Sequence, residues 1–189
     1  TSDYFRSLHQ AHGVGIREST GLKRLIGEAG RVIGAELDTG EVVDIDFAIV
    51  GIGIRPNDAL AKAAEIEVDD GILVDRQCRT SDPVIVAAGD CARFPLRDRL
   101  GRLESVQNAV DQGEAAAGSL AGLDVAYHPA PWFWSDQFDV KLQIAGLNVG
   151  YNRTIERAGK RAGARSVWYY ADEKLLAVDA MNDGATYMI

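Results

Sequence analysis

The stretch VAAGDCARF, residues 86–94, decides the fold. Its small apolar residues fit a fully buried strand, and the apolar run stops abruptly at Gly89 and Asp90. In an open α/β sheet, ligands bind just beyond the carboxyl ends of the strands. A glycine at such an end lets a ligand approach the backbone, and an aspartate offers two acceptors to the hydroxyls of a sugar or ribityl chain. Residue chemistry leaves a second reading open, a strand-end aspartate that caps the next turn.

The segment that follows, SVQNAVDQGEAAAGSLAG at 105–122, reads as a long helix. Val106, Ala109, Val110, Gly113, Ala117 and Leu120 mark one face, and Gly122 closes it. The free amides and positive dipole end of its first turn suit negative charge or a carbonyl oxygen. A flavin ring, whose pyrimidine edge gains negative charge on reduction, would use such an end. A packed core helix fits the same alanine-rich sequence, and both readings can hold together.

Upstream, SDYFRSLHQAHGVGI predicts a helix broken at Gly13 and followed by a short strand, with Tyr4, Phe5, Leu8 and Ala11 at helical spacing. Residues 21–53 predict a β-meander punctuated by Gly27, Gly30 and Gly40, leading into a buried strand, FAIVGIG at 47–53. A turn at Pro56-Asn57, a short helix through Leu60 and Ala64, and a strand at Ile72 to Val74 come next. A turn at Asp82-Pro83 then opens the strand that ends at Asp90. Past Pro129 and Pro131 the texture becomes aromatic and β-branched, with a hairpin turn at Ala171 to Glu173, which puts a domain boundary near 123–131. The fold class expected is α/β, with incomplete Rossmann-like elements followed by a C-terminal α+β domain built on an antiparallel sheet.

A formal net charge of −8 over 189 residues argues against nucleic acid, which is bound by surplus Lys and Arg. Two basic islands break the acidic field. One holds Arg93, Arg97, Arg99 and Arg102, the other Arg153, Arg157, Lys160, Arg161 and Arg165. Each reads as solvated loop or as a surface for an acidic protein. No run reaches the roughly 18 apolar residues of a membrane helix and no secretory signal opens the chain, so a soluble cytoplasmic protein is expected. Cys78 and Cys91 match neither a redox CxxC pair nor a zinc knuckle and read as buried small residues. His9, His12 and His128 lack metal-ligand spacing. VGIGIRPN, residues 50–57, is glycine-dense, yet position 56 is proline where G-x-G-x-x-G requires glycine; no complete phosphate-cradling loop is present.

Taken in order and at their spacing, VGIGIRPN, RTSDPVIVAAGDCARF, RLESVQNAVDQG and PWFWSDQFDVKLQIAGL resemble the FAD-dependent, NADH-dependent ferredoxin reductases of bacterial oxygenase systems. This is the putidaredoxin reductase and aromatic-ring dioxygenase reductase type, within the pyridine nucleotide-disulfide oxidoreductases. AAGD is shared by many flavoproteins; ESVQNA joined to PWFWSDQ is far more specific. The resemblance covers essentially the whole chain. It implies a partial FAD/NAD-linked reductase fold: residues 1–50 the end of an NAD-binding domain, 51–122 the second segment of an FAD-binding domain, and 123–189 a C-terminal reductase domain. Both glycine fingerprints would lie upstream of Thr1, and the family's C-terminal domain runs somewhat beyond Ile189.

By position, the resemblance assigns Asp90 to the ribityl or phosphate-linked part of FAD, with Gly89 making room. It assigns Val106, with Gln107 and Asn108 beside it, to the flavin ring, and Trp134 to a place near the isoalloxazine. Trp132 and Phe133 are core or rim. Gly51, Ile52 and Gly53 match the loop along NADH. Hydride passes from NAD(P)H to FAD and then single electrons pass to a 2Fe–2S ferredoxin, so no side-chain acid, base or nucleophile is required. The basic islands would steer that acidic partner. A nitrite-reductase-type or disulfide-reducing flavoenzyme shares this fold, although the His-Glu pair of classical disulfide reductases is missing from the C-terminal segment. A reading of another class is a non-catalytic interaction or dimerisation module. The isolated chain is expected to bind FAD poorly, to be inactive, and to self-associate through apolar surface.

Overall fold

The computed structural model describes residues 1–187. The chain divides into two compact units, Thr1–Ile54 and Arg55–Ile189. In the first, helix α1 (Ser2–Ala11) precedes an antiparallel meander of β1 (Leu22–Glu28), β2 (Arg31–Leu37) and β3 (Val42–Asp44). Gly30 and Gly40 sit at the two turns with φ of +78° and +85°, a region open to glycine at no steric cost. α1 buries no residue completely; Arg6 ties it to Glu18 by donating from Nε to Oε2 at 3.0 Å and from Nη2 to Oε1 at 2.7 Å.

The second unit is built around one core and one large sheet. Helix α2 (Ala59–Ala63) leads to β4 (Ile72–Leu73), which lies parallel to β5 (Ala92–Leu96), and β5 pairs antiparallel with β6 (Arg99–Gly101). Ala92, Phe94 and Leu96 alternate inward with Arg93 and Pro95 between them. RFPLRDRLGR is therefore a hairpin, where a loop is expected from its arginines. Helix α3 (Val106–Leu120) packs Ala115 and Ala116 into the same core, with Val74, Cys78, Leu103 and Tyr127.

The C-terminal part forms a five-stranded antiparallel sheet in the order β7 (Trp132–Gln137), β8 (Val140–Gly146), β11 (Lys174–Met181), β10 (Arg165–Ala171), β9 (Arg153–Ala158). The expected hairpin is β10–β11, turned at Asp172 with φ of +52°. A short helix, α4 (Gly184–Tyr187), follows β11. Ser166 to Tyr169 and Ala177 to Met181 are buried without alternation, because both faces of these two central strands are covered. Asp179, 5% exposed, is satisfied there by the Tyr169 hydroxyl, which donates to its carboxylate at 2.7 Å. No helix among the described residues is long and apolar enough to cross a membrane.

Other expectations are corrected. The short strand expected after Gly13 is not formed, since residues 14–17 lie outside any helix or strand. Residues 47–53 form no strand, and Phe47, Ile49 and Ile52 are 71%, 88% and 90% exposed. An apolar run becomes a strand only where a neighbour bonds its backbone, and no described strand pairs with this one. Residues 84–88 likewise fall short of a buried strand. Val86 makes only an isolated bridge with Arg79, and Val84 is 76% exposed. Finally, α3 turns inward a face other than the one expected: Val106, Val110 and Leu120 are exposed, whereas Asn108, Gln112, Ala115, Ala116 and Ser119 are buried. Hydrogen-bond partners inside the core make the polar stripe the inward one.

Candidate functional site

The centre of the second unit's site is the 3₁₀ turn Gly89–Cys91, entered from extended backbone at Ala88. Gly89 has φ of +79°, and a Cβ placed on it would lie 3.4 Å from the Cβ of Ala109, so the turn and the first turns of α3 are neighbours. The Gly89 amide donates to Oε1 of Gln112 at 2.8 Å. Asp90 is exposed, and its side chain makes no hydrogen bond among the described residues; no side-chain cap closes the turn. Asp90 therefore does not fill the capping role left open by the sequence.

α3 begins as expected. Ser105 is the N-cap in extended backbone, and its hydroxyl accepts from the Asn108 amide at 3.1 Å. The first intrahelical bond is Ala109 to Ser105, which leaves the Val106 and Gln107 amides without an intrahelical partner. Val106 is 65% exposed, and the Gln107 side chain donates to Asp111 one turn on. The Asn108 side chain faces the interior. Its Oδ1 accepts from the Tyr127 hydroxyl at 2.9 Å and its Nδ2 approaches Gln112 Oε1 at 3.4 Å. Asn108 therefore serves the helix from below, and the edge that a ligand can reach is the backbone of Val106 and Gln107.

The chain from Gly89 through Gln112 and Asn108 to Tyr127 was not legible as a site feature, because Gln112 reads as one more polar position of an alanine-rich helix. Burial pushes the Tyr127 hydroxyl up to about 12, with the Asp111 carboxylate adding to it. Burial likewise lifts the Cys78 thiol to about 11, with Asp75 as the lesser cause, so both groups stay protonated and serve as packing. Cys78 and Cys91 are both free.

Trp134 lies on edge strand β7, 45% exposed, its ring 5.1 Å from that of Trp132. Alternation explains this: Phe133 packs against the core beneath β5 and α3, so Trp134 points the other way. Gly51, Ile52 and Gly53 lie in the first unit, outside any helix or strand. Gly53 has φ of +96° and nothing lies within 4 Å of a Cβ placed on either glycine.

The basic islands are not uniform. Arg93 pairs with Asp69, and Arg102, with only 10% of its side chain exposed, pairs with Glu104 at 2.8 Å and faces Asp70 at 3.5 Å. Arg97 and Arg99 remain exposed. In the second island Arg157 stacks 4.1 Å over the Trp168 ring and Arg153 lies 4.9 Å over Tyr170, while Lys160 and Arg161 sit in the exposed loop before β10. Among the described residues no group of His, Cys, Asp and Glu could hold a metal ion.

Residues 1–113 match the family described as pyridine nucleotide-disulphide oxidoreductase. The chain belongs to that family. Residues 132–189 match a second family, described as reductase C-terminal, which covers the five-stranded sheet. Over 189 residues the chain is 42% identical to rhodocoxin reductase of Rhodococcus erythropolis, a match covering 99% of this chain and 44% of the relative. It is 40% identical to putidaredoxin reductase of Pseudomonas putida, across 96% of this chain and 44% of that protein. Two solved structures superpose closely. The ferredoxin reductase for the CYP199A2 system of Rhodopseudomonas palustris has a TM-score of 0.94 at 38% identity, covering 99% of this chain and 47% of that one. The covalent putidaredoxin reductase–putidaredoxin complex has a TM-score of 0.92 at 38% identity, covering 99% and 46%. The chain spans less than half the length of these family members. Its mixed α/β architecture with antiparallel sheets is a partial FAD/NAD-linked reductase fold.

Proposed function

We propose that this chain is a portion of an FAD flavoprotein that passes electrons from NAD(P)H through FAD to a 2Fe–2S ferredoxin, which in turn supplies an oxygenase. In this reading residues 1–50 close an NAD-binding domain, 51–122 complete an FAD-binding domain, and 123–189 form the C-terminal reductase domain. The observation that carries it is the Asp90 carboxylate, exposed, without any hydrogen bond among the described residues, and beside a helix start whose Val106 and Gln107 amides have no intrahelical partner. Likeness to ferredoxin reductases along nearly the whole chain supports it.

The residues fit the group. Gly89 leaves the turn without a side chain, Asp90 accepts from flavin-chain hydroxyls, and the Val106 and Gln107 amides meet the electron-rich ring edge. Asn108 holds that edge in place, and Trp134 offers an exposed aromatic face. Gly51, Ile52 and Gly53 provide a strip of backbone with little side-chain bulk for NAD(P)H. The bound cofactors supply hydride acceptance and one-electron transfer, while the chain's own residues bind, orient and exclude water.

Ferredoxin is met by the cations left free of carboxylates, Arg97 and Arg99 on one island and Lys160 and Arg161 on the other, with Arg153 and Arg157 stacked behind them. Without the remainder of a reductase, the exposed apolar residues favour self-association.

Titration with FAD, followed by flavin fluorescence and absorbance, tests the reading on this chain and on the full-length reductase carrying both glycine fingerprints. Tight binding by the full-length protein, lost on Asp90→Ala, is the expected result. Unchanged binding in Asp90→Ala would remove Asp90 from the site.

A further inference from the structure

Asp90 is gripped from both sides, and neither grip involves its carboxylate. On one side the Gly89 amide donates to Gln112 Oε1 at 2.8 Å; Gln112 is completely buried, and the same oxygen lies 3.4 Å from Asn108 Nδ2. On the other side a guanidinium nitrogen of Arg102 donates to the Asp90 carbonyl oxygen at 3.0 Å. Arg102 is itself fixed. That nitrogen also meets Glu104 at 2.8 Å, and Nε faces Asp70 at 3.5 Å as an ion pair without hydrogen-bond geometry. Room for the arginine arm comes from Gly71, where φ is +127° and a Cβ would fall 2.7 Å from Arg102 Cδ and 2.9 Å from the Cys91 carbonyl oxygen.

We propose that Gln112 and Arg102 are positioning residues that hold Asp90 at a fixed height and angle against the start of α3, and that Arg102 belongs to this clamp and not to the surface that meets a partner. The geometry gives each a separate task. Gln112 sets the distance between the turn and the helix, because it joins the Gly89 amide to the α3 backbone one turn below Asn108. Arg102 sets the rotation of the Asp90 peptide, because it holds the carbonyl while Asp70 and Glu104 hold the arginine. A ligand gripped by the Asp90 carboxylate and by the Val106 and Gln107 amides at once needs both settings. The inference rests on the proposed flavin role of Asp90, but the clamp itself is a property of this chain.

Two measurements separate the clamp from that role. In this chain without flavin, amide hydrogen exchange at Gly89 is expected to rise at least about tenfold in Gln112→Met and to stay slow in Gln112→Glu, which keeps an acceptor oxygen. In the full-length reductase, Gln112→Met and Arg102→Gln are expected to weaken FAD binding at least about tenfold and to shift the flavin absorption band, with Arg102→Lys recovering part of the affinity. Asp98→Asn, on the exposed turn between β5 and β6, is expected to leave both unchanged. Unaltered Gly89 exchange in Gln112→Met, or unaltered FAD affinity and spectrum in Arg102→Gln, would overturn the proposal. If Gln112→Met does not fold, Arg102→Gln decides through the same FAD readouts. A full-length wild type that binds no FAD would remove the functional reading, while Gly89 exchange would still judge the clamp.

Discussion

Gly89 and Asp90 are neighbours with opposite tolerances. Asp90 is exposed with an unengaged carboxylate, so Asp90→Ala should change stability by no more than about 0.5 kcal/mol. The same substitution should cost the full-length reductase most of its FAD affinity. Gly89→Ala should behave in the reverse order at first: φ of +79° and an Ala109 Cβ 3.4 Å away strain the fold, by about 1–2 kcal/mol in urea unfolding, before any ligand is added. Gly146 marks the extreme, since a Cβ placed on it would collide with the Leu176 carbonyl oxygen and φ is +82°; Gly146→Ala should prevent the β8–β11 pairing, and the expected readout is loss of soluble folded protein. Two buried acids give a pH signature. Cys78 is raised from 9.0 to about 11 and Tyr127 from 10.0 to about 12, so between those values the folded chain holds protons that the unfolded chain has released. Stability then falls as pH rises through that window, and is fully present below about 9. Urea midpoints at pH 8 and pH 11 check the sign, and Tyr127→Phe should flatten the upper part of the curve.

Elements set the limit on what the sequence discloses. The meander, α2, β4, the start of α3 and the β10–β11 hairpin are all legible, because turn residues and local periodicity determine them. The strands expected at 47–53 and 84–88 are not formed, although their composition is right, since an apolar run says that neighbours are needed without saying whether they are in the same chain. α3 misleads for a related reason. Its apolar residues Val106, Val110 and Leu120 face solvent, and its inward stripe carries Asn108 and Gln112, whose partners Gly89 and Tyr127 come from 23 and 19 residues away. Helical spacing shows that a face exists and is silent on such distant hydrogen bonds. Asp90 is a candidate in the sequence because an apolar run stops there, whereas Gln112 and Arg102, whose side chains bond the Gly89 amide and the Asp90 carbonyl, carry no such signal, because these bonds exist only in the folded chain. The exposed face of α3 predicts behaviour: Val110→Lys with Leu120→Lys should lower self-association of this chain in sedimentation velocity with stability retained, whereas Ala116→Lys, placing a charge where the side chain is 5% exposed, should unfold it.

At the scale of the molecule, the segment joining the two units is the most informative test of what the chain is for. Residues 46–55 carry no hydrogen bond among the described residues, and Ile49 and Ile52 are 88% and 90% exposed. Exposed backbone without hydrogen bonds is where proteases cut, so limited proteolysis of this chain should cleave within 46–55 and release a stable fragment beginning near Arg55, the start of the second compact unit. Phe47, Ile49, Val50 and Ile52 are all exposed, yet their composition suits a strand buried on both faces. In the full-length reductase with FAD bound, the same bonds should therefore resist the protease by at least about tenfold in rate, because opening would then break strand pairing as well as exposing the segment. Equal cleavage in the two proteins would mean that 46–55 is a linker in its own right, and the glycines at 51 and 53 would lose their proposed place along NAD(P)H. Protection that appears only when FAD is present would tie the segment to the flavin-binding half of the molecule.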